Sequence, residues 1–292
     1  MAVPAIKLKH VGFTYQAGTP FADQAIADFS LTIENGSFTA IVGHTGCGKS
    51  TLMQLVDGLL RPTAGEVTVN GQTVTSSSNR RQLAQLRTTT GFVFQLPENQ
   101  LFAETVLEDV MFGPLNLGQG QEEAQKNASQ ALATVGISRK LEQSSPFDLS
   151  GGQMRRVAIA GVLAMNPAIL ILDEPTAGLD SLGAKQMMEL TSRLHQQGKT
   201  ILLVTHHMEQ VAALADQVVV MNEGRLAFQG SPRELFENQQ LLDANSLRWP
   251  AAVAFNQLLS EGGVDLPGPV PLTLDELADQ LAGQLKGRDH NG

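Results

Sequence analysis

The sequence predicts an α/β protein built on a parallel sheet, and three observations predict it. After Gly151 come a helix, strand Ile169 to Leu172, helix Leu182 to Gln196, strand Thr200 to Val204, helix Met208 to Ala215 and strand Val218 to Met221. Such alternation implies parallel neighbours covered by helices. A glycine-rich loop, Gly43 to Gly48, separates an apolar strand from a helix. Finally, 42% hydrophobic and 17% charged residues in a chain of 292, with a mean hydropathy of −0.04, is a globular composition able to bury such a core. At roughly 100 to 200 residues per domain, the length fits one large domain, or one domain with an appendage.

The N-terminal 42 residues read as short strands. Ile6 and Leu8, then Phe29, Leu31 and Ile33, alternate with polar neighbours at period two, and Asn35-Gly36 is a turn before the run Phe38 to Val42. A helix is expected from Lys49 to Leu60, stopped by Arg61-Pro62. Val67 and Val69 lead into Asn70-Gly71, a hairpin turn. Gln95 to about Ser150 reads as mainly helical, interrupted at Gly113-Pro114 and at Gly118 to Gly120. Beyond the alternating region, Asn222-Glu223-Gly224 turns the chain into Arg225 to Phe228. Ser231-Pro232-Arg233-Glu234 is a capping box with Pro at the first helical position. The last fifty residues differ: Pro267, Pro269 and Pro271 interrupt them. Thr273 and Glu276 then form a second capping box ahead of Leu274, Leu277, Leu281 and Leu285, which share one helical face. That stripe suits packing on the chain's own core or a subunit contact.

Charge and cysteine content narrow the function. Twenty Lys and Arg against 29 Asp and Glu give a net charge of −9, with a pI near 5.1. A general binder of nucleic-acid backbone needs the opposite excess. The longest apolar stretch, Val157 to Met165, falls far short of the roughly 20 residues that cross a bilayer. The N-terminus, with Pro4, Lys7, Lys9 and His10 among apolar residues, has no hydrophobic segment of signal-peptide length, so a cytoplasmic location is expected. A single cysteine, Cys47, excludes an intramolecular disulfide and a multi-cysteine metal site.

The strongest chemical signal is Gly43-His44-Thr45-Gly46-Cys47-Gly48-Lys49-Ser50-Thr51, two glycines four residues apart followed by Lys and Ser. It follows the apolar strand Thr39 to Val42 and opens a helix, so successive backbone N–H groups and the positive helix end can surround phosphates. Glycine is expected there because a Cβ would block the wrap. Lys49 is assigned to the β and γ phosphates and the Ser50 hydroxyl to Mg²⁺. Cys47 reads as a small loop residue. A second acidic element lies at Asp173-Glu174-Pro175, directly after the apolar strand Ile169 to Leu172 and so at the carboxyl edge where α/β sheets bind ligands. Asp173 suits Mg²⁺. Glu174 is then free to accept a proton from the water that attacks the γ-phosphate.

Leu149-Ser150-Gly151-Gly152-Gln153, twenty residues before Asp173, is the signature motif of ATP-binding-cassette (ABC) ATPases, and the chain resembles that family from about Ile6 to Phe236. The resemblance implies an ABC-type P-loop nucleotide-binding domain over residues 1–240: a RecA-like parallel sheet core, an N-terminal antiparallel β subdomain and an α-helical signature subdomain at about 96–165. A small, mainly helical extension over 241–292 would follow, placed near a subunit contact. It also implies that Tyr15 stacks on adenine, that Gln95 senses Mg²⁺ and the attacking water, that Asp180 closes the loop Ala177-Gly178-Leu179-Asp180 after the acidic pair, and that His206 contacts the γ-phosphate. Ser150 and the following glycines begin a helix and make a second anion-binding end. The first is already committed to the phosphates at Gly43, so the second should serve another chain's nucleotide in a head-to-tail dimer.

Within the family, Gln95-Leu96-Pro97-Glu98-Asn99-Gln100-Leu101-Phe102, Thr105 to Val110 and Phe112-Gly113-Pro114 look like the ATPases of energy-coupling-factor (ECF) transporters, which import vitamins and, in related systems, cobalt or nickel. Ser145 to Asp148 and Met154 to Gly161 look like the second of the two ATPase subunits. The resemblance implies a homologous ATPase partner, with a heterodimer favoured over a homodimer. It also implies a transmembrane coupling protein, a membrane substrate-binding component and a peripheral place on the cytoplasmic face of the cell membrane. A soluble cassette ATPase acting on nucleic acid or ribosomes is the alternative. The acidic balance disfavours it, and the 56 residues from Gln95 to Ser150 leave no room for long coiled coils.

Overall fold

The computed structural model describes residues 3–289, and side chains through residue 284. The first half runs β1 (Ile6–Tyr15), β2 (Asp23–Ile33), β3 (Phe38–Val42), α1 (Lys49–Val56), β4 (Ala64–Val69), β5 (Gln72–Thr75), α2 (Arg80–Leu86), β6 (Thr90–Val93), α3 (Val106–Asn116) and α4 (Gln121–Thr134). The second half runs α5 (Gly151–Ala164), β7 (Ile169–Asp173), α6 (Ser181–Gln196), β8 (Thr200–Val204), α7 (Met208–Leu214), β9 (Gln217–Asn222), β10 (Arg225–Gly230), α8 (Pro232–Phe236), α9 (Gln239–Ala244), α10 (Ala251–Glu261) and α11 (Leu274–Asp289).

Two sheets result. A four-stranded antiparallel sheet has the order β2-β1-β4-β5, and a six-stranded sheet the order β10-β9-β3-β8-β7-β6, parallel except for β10. Side chains alternate across the central strands, so each face feeds a different core. Ile169, Ile171, Leu202, Val204, Val219 and Met221 pack under the antiparallel sheet with α1. Leu170, Leu172, Ile201 and Leu203 face α3, α4, α5 and α6 on the other side. Val218 and Val220 join Leu235, Phe236 and Val253 of α8 and α10. Both faces are buried, which is why these strands are apolar throughout rather than amphipathic. The parallel strands end on a common edge, and β3, β6, β7 and β8 deliver Gly43, Gln95, Asp173-Glu174 and His206 there.

Several local expectations need correction. α1 stops at Val56 rather than Leu60: Gly58 takes φ +70°, and the N–H groups of Leu59 and Leu60 both turn back to the Gln54 carbonyl. Gly113-Pro114 does not interrupt α3, which runs through it to Asn116. Gly113 is there for packing, since a Cβ would come within 2.9 Å of Met165 Cγ and Sδ. The break falls at Gly118, φ +85°. α2, β6, α9 and α10 carry no strong pattern in the sequence. β6 is only four residues long, all buried.

The Ser231 capping box forms as expected. At the second box, Thr273 Oγ1 accepts from Glu276 N, but the Glu276 carboxylate reaches one residue further back, to Leu272 N, and pairs with Arg233 of α8 at 3.6 Å. This ties the C-terminal segment to the body. Of the leucine stripe, Leu277 is buried, Leu281 half-buried and Leu274 exposed at the first turn, and the Leu285 side chain lies outside the described residues. Among the described residues, no helix is long and apolar enough to cross a membrane.

Candidate nucleotide site

The loop between β3 and α1 wraps a cavity lined by Thr45, Gly46, Gly48, Lys49, Ser50 and Thr51, together with Tyr15, Gln95, Asp173, Glu174 and His206. Its glycines answer to the protein's own backbone. Gly43, φ +148°, would place a Cβ 2.3 Å from the Met221 carbonyl of β9, and Gly48, φ +102°, would place one 2.6 Å from the Ala25 carbonyl of β2. Gly46, φ +84°, has open space around it, so only its left-handed backbone calls for glycine. Cys47 is buried, with Sγ 3.7 Å from Lys49 Nζ. The Lys49 ammonium donates to the Gly43 carbonyl at 2.8 Å and the His44 carbonyl at 2.9 Å, which curls it over the loop. The His44 ring contacts the Thr45 carbonyl and Asn222 Oδ1.

Across from the loop, the Ser50 hydroxyl donates to Asp173 Oδ2 at 3.4 Å, joining residues 123 positions apart. Burial and the adjacent Glu174 charge push the Asp173 carboxyl above its ordinary range, and the Ser50 hydrogen bond and Lys49 pull it back. Glu174 sits at φ +49°, a left-handed backbone rare for a non-glycine residue. That turn brings Glu174 Oε1 to 2.8 Å from His206 Nδ1, and Oε2 is buried without a hydrogen-bond partner. His206 is largely exposed and Glu174 is not. Behind them, Thr205 Oγ1 donates to Gln210 Oε1, and Gln210 Nε2 donates to Thr176 Oγ1, binding the ends of β7 and β8 together. Tyr15 stands edge-on to Phe13 with ring centroids 4.7 Å apart, its hydroxyl 3.1 Å from Thr51 Oγ1.

The signature residues lie elsewhere. Ser150 caps α5, with its Oγ accepting from Gln153 N while Gln153 Oε1 accepts from Ser150 N. Gly151 and Gly152 are exposed, with nothing within 4 Å of a would-be Cβ. None of Ser150 to Gln153 lines the loop cavity, nor does Asp180, whose Oδ1 accepts from Gly183 N at 2.7 Å as the cap of α6.

Sequence reasoning passed over three contributors. Glu223-Gly224 forms one cavity wall, fastened by Gly224 N to the Cys47 carbonyl and by Ala27 N to the Gly224 carbonyl. Gln210 and Thr176 carry no motif. Arg155, inside the signature helix, is 3% exposed and donates to the carbonyls of Gln95 and Ala177. An arginine on a helix otherwise facing the core was the one available sign.

A glycine-rich loop between β3 and α1, a carboxylate pair at the end of β7, two strands away in the same parallel sheet, and an outward-facing glycine helix define the class: an ABC-type ATPase. The ABC transporter family profile matches residues 26–177. The energy-coupling factor transporter ATP-binding protein EcfA2 of Streptococcus pneumoniae serotype 2 is 51% identical over 278 residues, covering 95% of this chain and 99% of that one. The protein of the same name from Enterococcus faecalis is 51% identical over 282 residues, covering 96% and 97%. Among solved structures, cbiO1 from Clostridium perfringens, part of the ABC transporter complex cbiONQ, superimposes with a TM-score of 0.73 at 37% identity, covering 89% of this chain and all of that one. The ATP-binding cassette MJ0796, dimeric and bound to ADP and Pi, gives 0.69 at 33% identity, covering 78% and 98%. The chain belongs to the ABC transporter family, in the branch of the ATP-binding subunits of energy-coupling-factor transporters. It is an ATP-hydrolysing enzyme of the transport-coupled class.

Proposed function

We propose that this chain is the motor subunit of an ECF importer, peripheral on the cytoplasmic face of the membrane, and that it drives uptake of a vitamin or of a cobalt or nickel ion through ATP-dependent head-to-tail dimerisation. The observation that carries this reading is the divided site: the loop cavity holds the hydrolytic side chains but no signature residue, and Gly151 and Gly152 face outward. A second cassette presenting its own glycine helix completes such a cavity, and the dimeric state of the MJ0796 cassette supports the pairing of two cassettes. The partner is a homologous ATPase, with a heterodimer favoured. The C-terminal extension, residues 241–292, lies near their contact.

In this reading Lys49 leaves the carbonyls of Gly43 and His44 for the β and γ phosphates, and the N–H groups of the loop and the start of α1 hold the triphosphate. Tyr15 stacks on the adenine. The donor set suits a hard dication, because Ser50 Oγ and Asp173 Oδ2 are oxygen ligands already 3.4 Å apart and Gln95 adds a third. Bound Mg²⁺ would neutralise charge on the phosphates. The unpartnered Glu174 Oε2 is free to take the proton of the attacking water, while Oε1 is held by His206, which also reaches the γ-phosphate. Ser150 and the glycines of one subunit close on the γ-phosphate held by the other.

The docking surface for a transmembrane coupling protein, which carries a membrane substrate-binding component, is the exposed apolar cluster beside Gln95. Leu96, Phe102 and Phe112 are about half exposed or more, and the rings of Phe102 and Phe112 meet edge to face at 4.8 Å. Gentle detergent purification of the tagged chain from native membranes, with mass spectrometry of what accompanies it, tests the whole reading. A sibling ATPase and an integral membrane protein are expected, and Phe102→Asp should lose the membrane protein. Recovery of the chain alone, or of ribosomes or nucleic acid, refutes it.

A further inference from the structure

We propose that Arg155 is the positioning residue that links the docking surface to the hydrolytic loops of this subunit. The guanidinium is buried on α5, one turn in from the signature cap, where a charge with no electrostatic purpose would be expensive. Its three nitrogens face two segments, the stretch after β6 at two points and the loop after β7 at one. Nη2 donates to the carbonyl of Gln95, 60 residues away, and Nη1 donates to the carbonyl of Ala177, 22 residues away. Nε lies 3.9 Å from Glu98 Oε2, and neither atom has a hydrogen-bond partner.

Each contact meets a part of the site or the surface. Gln95 lines the nucleotide cavity. Ala177 belongs to the loop that closes on Glu174, with Ala177 N donating to the Glu174 carbonyl at 3.0 Å. Glu98 sits on the short turn Pro97–Gln100, between exposed Leu96 and exposed Phe102. One rigid, planar group therefore spans the loop after β6, the loop after β7 and the apolar patch. A movement of that turn shifts Glu98 relative to Nε, and the fixed geometry of the guanidinium passes the shift to both carbonyls. Arginine is required because an ammonium cannot hold two carbonyls in a fixed fork. The gap between Nε and Glu98 is the adjustable joint, since it is close enough for attraction and too long for a hydrogen bond.

The link to docking rests on the function proposed above, so the test separates the two. Hydrogen exchange with mass spectrometry on the full chain compares the wild type with Arg155→Met and Arg155→Lys. Residues 95–101 and 174–180 should exchange faster together in both variants, by about tenfold or more, while α1 stays protected. Acceleration in only one segment, or in neither, overturns the proposal. If Arg155→Met does not fold, Arg155→Lys alone decides.

In the complex purified from membranes, Arg155→Lys should lower kcat for ATP hydrolysis by about 10²-fold, as expected when reacting groups are misplaced by about 1 Å, with KM within about threefold. A raised KM at unchanged kcat overturns it. The kcat losses of Arg155→Lys and Glu98→Gln should be non-additive, and additive losses overturn the coupling. Should the wild-type chain bring no membrane protein with it, the docking reading fails, and the exchange experiment still decides whether Arg155 holds the two loops.

Discussion

Asp57 caps the helix that begins with Lys49, and its titration offers a stability test with a calculable size. The residue is 5% exposed, and burial raises its carboxyl from 3.8 to about 6 against the opposing pull of the Thr90 hydrogen bond and the Arg87 charge. At about 1.4 kcal/mol per pH unit, that displacement corresponds to roughly 3 kcal/mol between the two protonation states. The folded carboxyl holds its proton more tightly than the unfolded one. Its favourable term is therefore complete below pH 3.8 and lost as pH rises through about 6. Asp57→Asn removes the buried charge while its amide oxygen still accepts from Thr90 Oγ1, which lies 2.6 Å from Asp57 Oδ1. The variant should be more stable than the wild type by about 1 to 3 kcal/mol at pH 7.5, with the difference shrinking towards pH 4.5. Urea unfolding at several pH values, followed by circular dichroism, measures it and keeps the unfolded chain in solution near the pI. A difference that does not change with pH, or a variant less stable at pH 7.5, refutes the reasoning.

Glu174→Gln should keep ATP bound while turnover of the assembled complex falls about 10²- to 10⁴-fold, the usual worth of a positioned base, and unchanged turnover removes Glu174 from that role. Ser150→Arg should spare nucleotide binding by its own subunit, measured with a fluorescent ATP analogue, and impair hydrolysis at the partner's site; lost binding in cis contradicts the head-to-tail arrangement. Gly48→Ala should destabilise the chain by about 1 to 3 kcal/mol and abolish ATP binding, because its Cβ meets the Ala25 carbonyl. Gly46→Ala meets nothing and should cost only backbone strain of about 1 kcal/mol, so equal melting temperatures for the two variants would argue against this account.

Sequence motifs foretold the site wherever neighbouring residues in the chain are also neighbours in space. Gly43 to Thr51 spells a loop, Asp173-Glu174 spells the end of a strand, and Ser150 with Gln153 spells a cap, so spacing and residue type suffice. The glycines answer to more than a ligand, because Gly43 and Gly48 make room for the backbone of β9 and β2. β6 leaves no clear mark in the sequence, since Thr90–Val93 has only four residues and no alternation, although it supports Gln95. Gly113-Pro114 has the local pattern of a break, and local propensity cannot register that Gly113 packs against Met165 across two helices.

The amino-acid sequence by itself set out the candidate chemistry: a glycine-rich loop proposed for phosphates, oxygen donors proposed for a dication, a carboxylate proposed as base, and a glycine-rich helix start proposed to serve a second chain. Only the tertiary structure decided which groups meet. The contact of Glu174 with His206 depends on the left-handed turn after β7 and on the pairing of β7 with β8, and Asp173 reaches Ser50 across 123 residues. Arg155 acquires its two carbonyls from loops that no periodicity relates to α5. Backbone conformation answers to residues a few positions away, whereas these contacts are set by sheet order and by the burial of apolar faces that bring distant segments to a single edge.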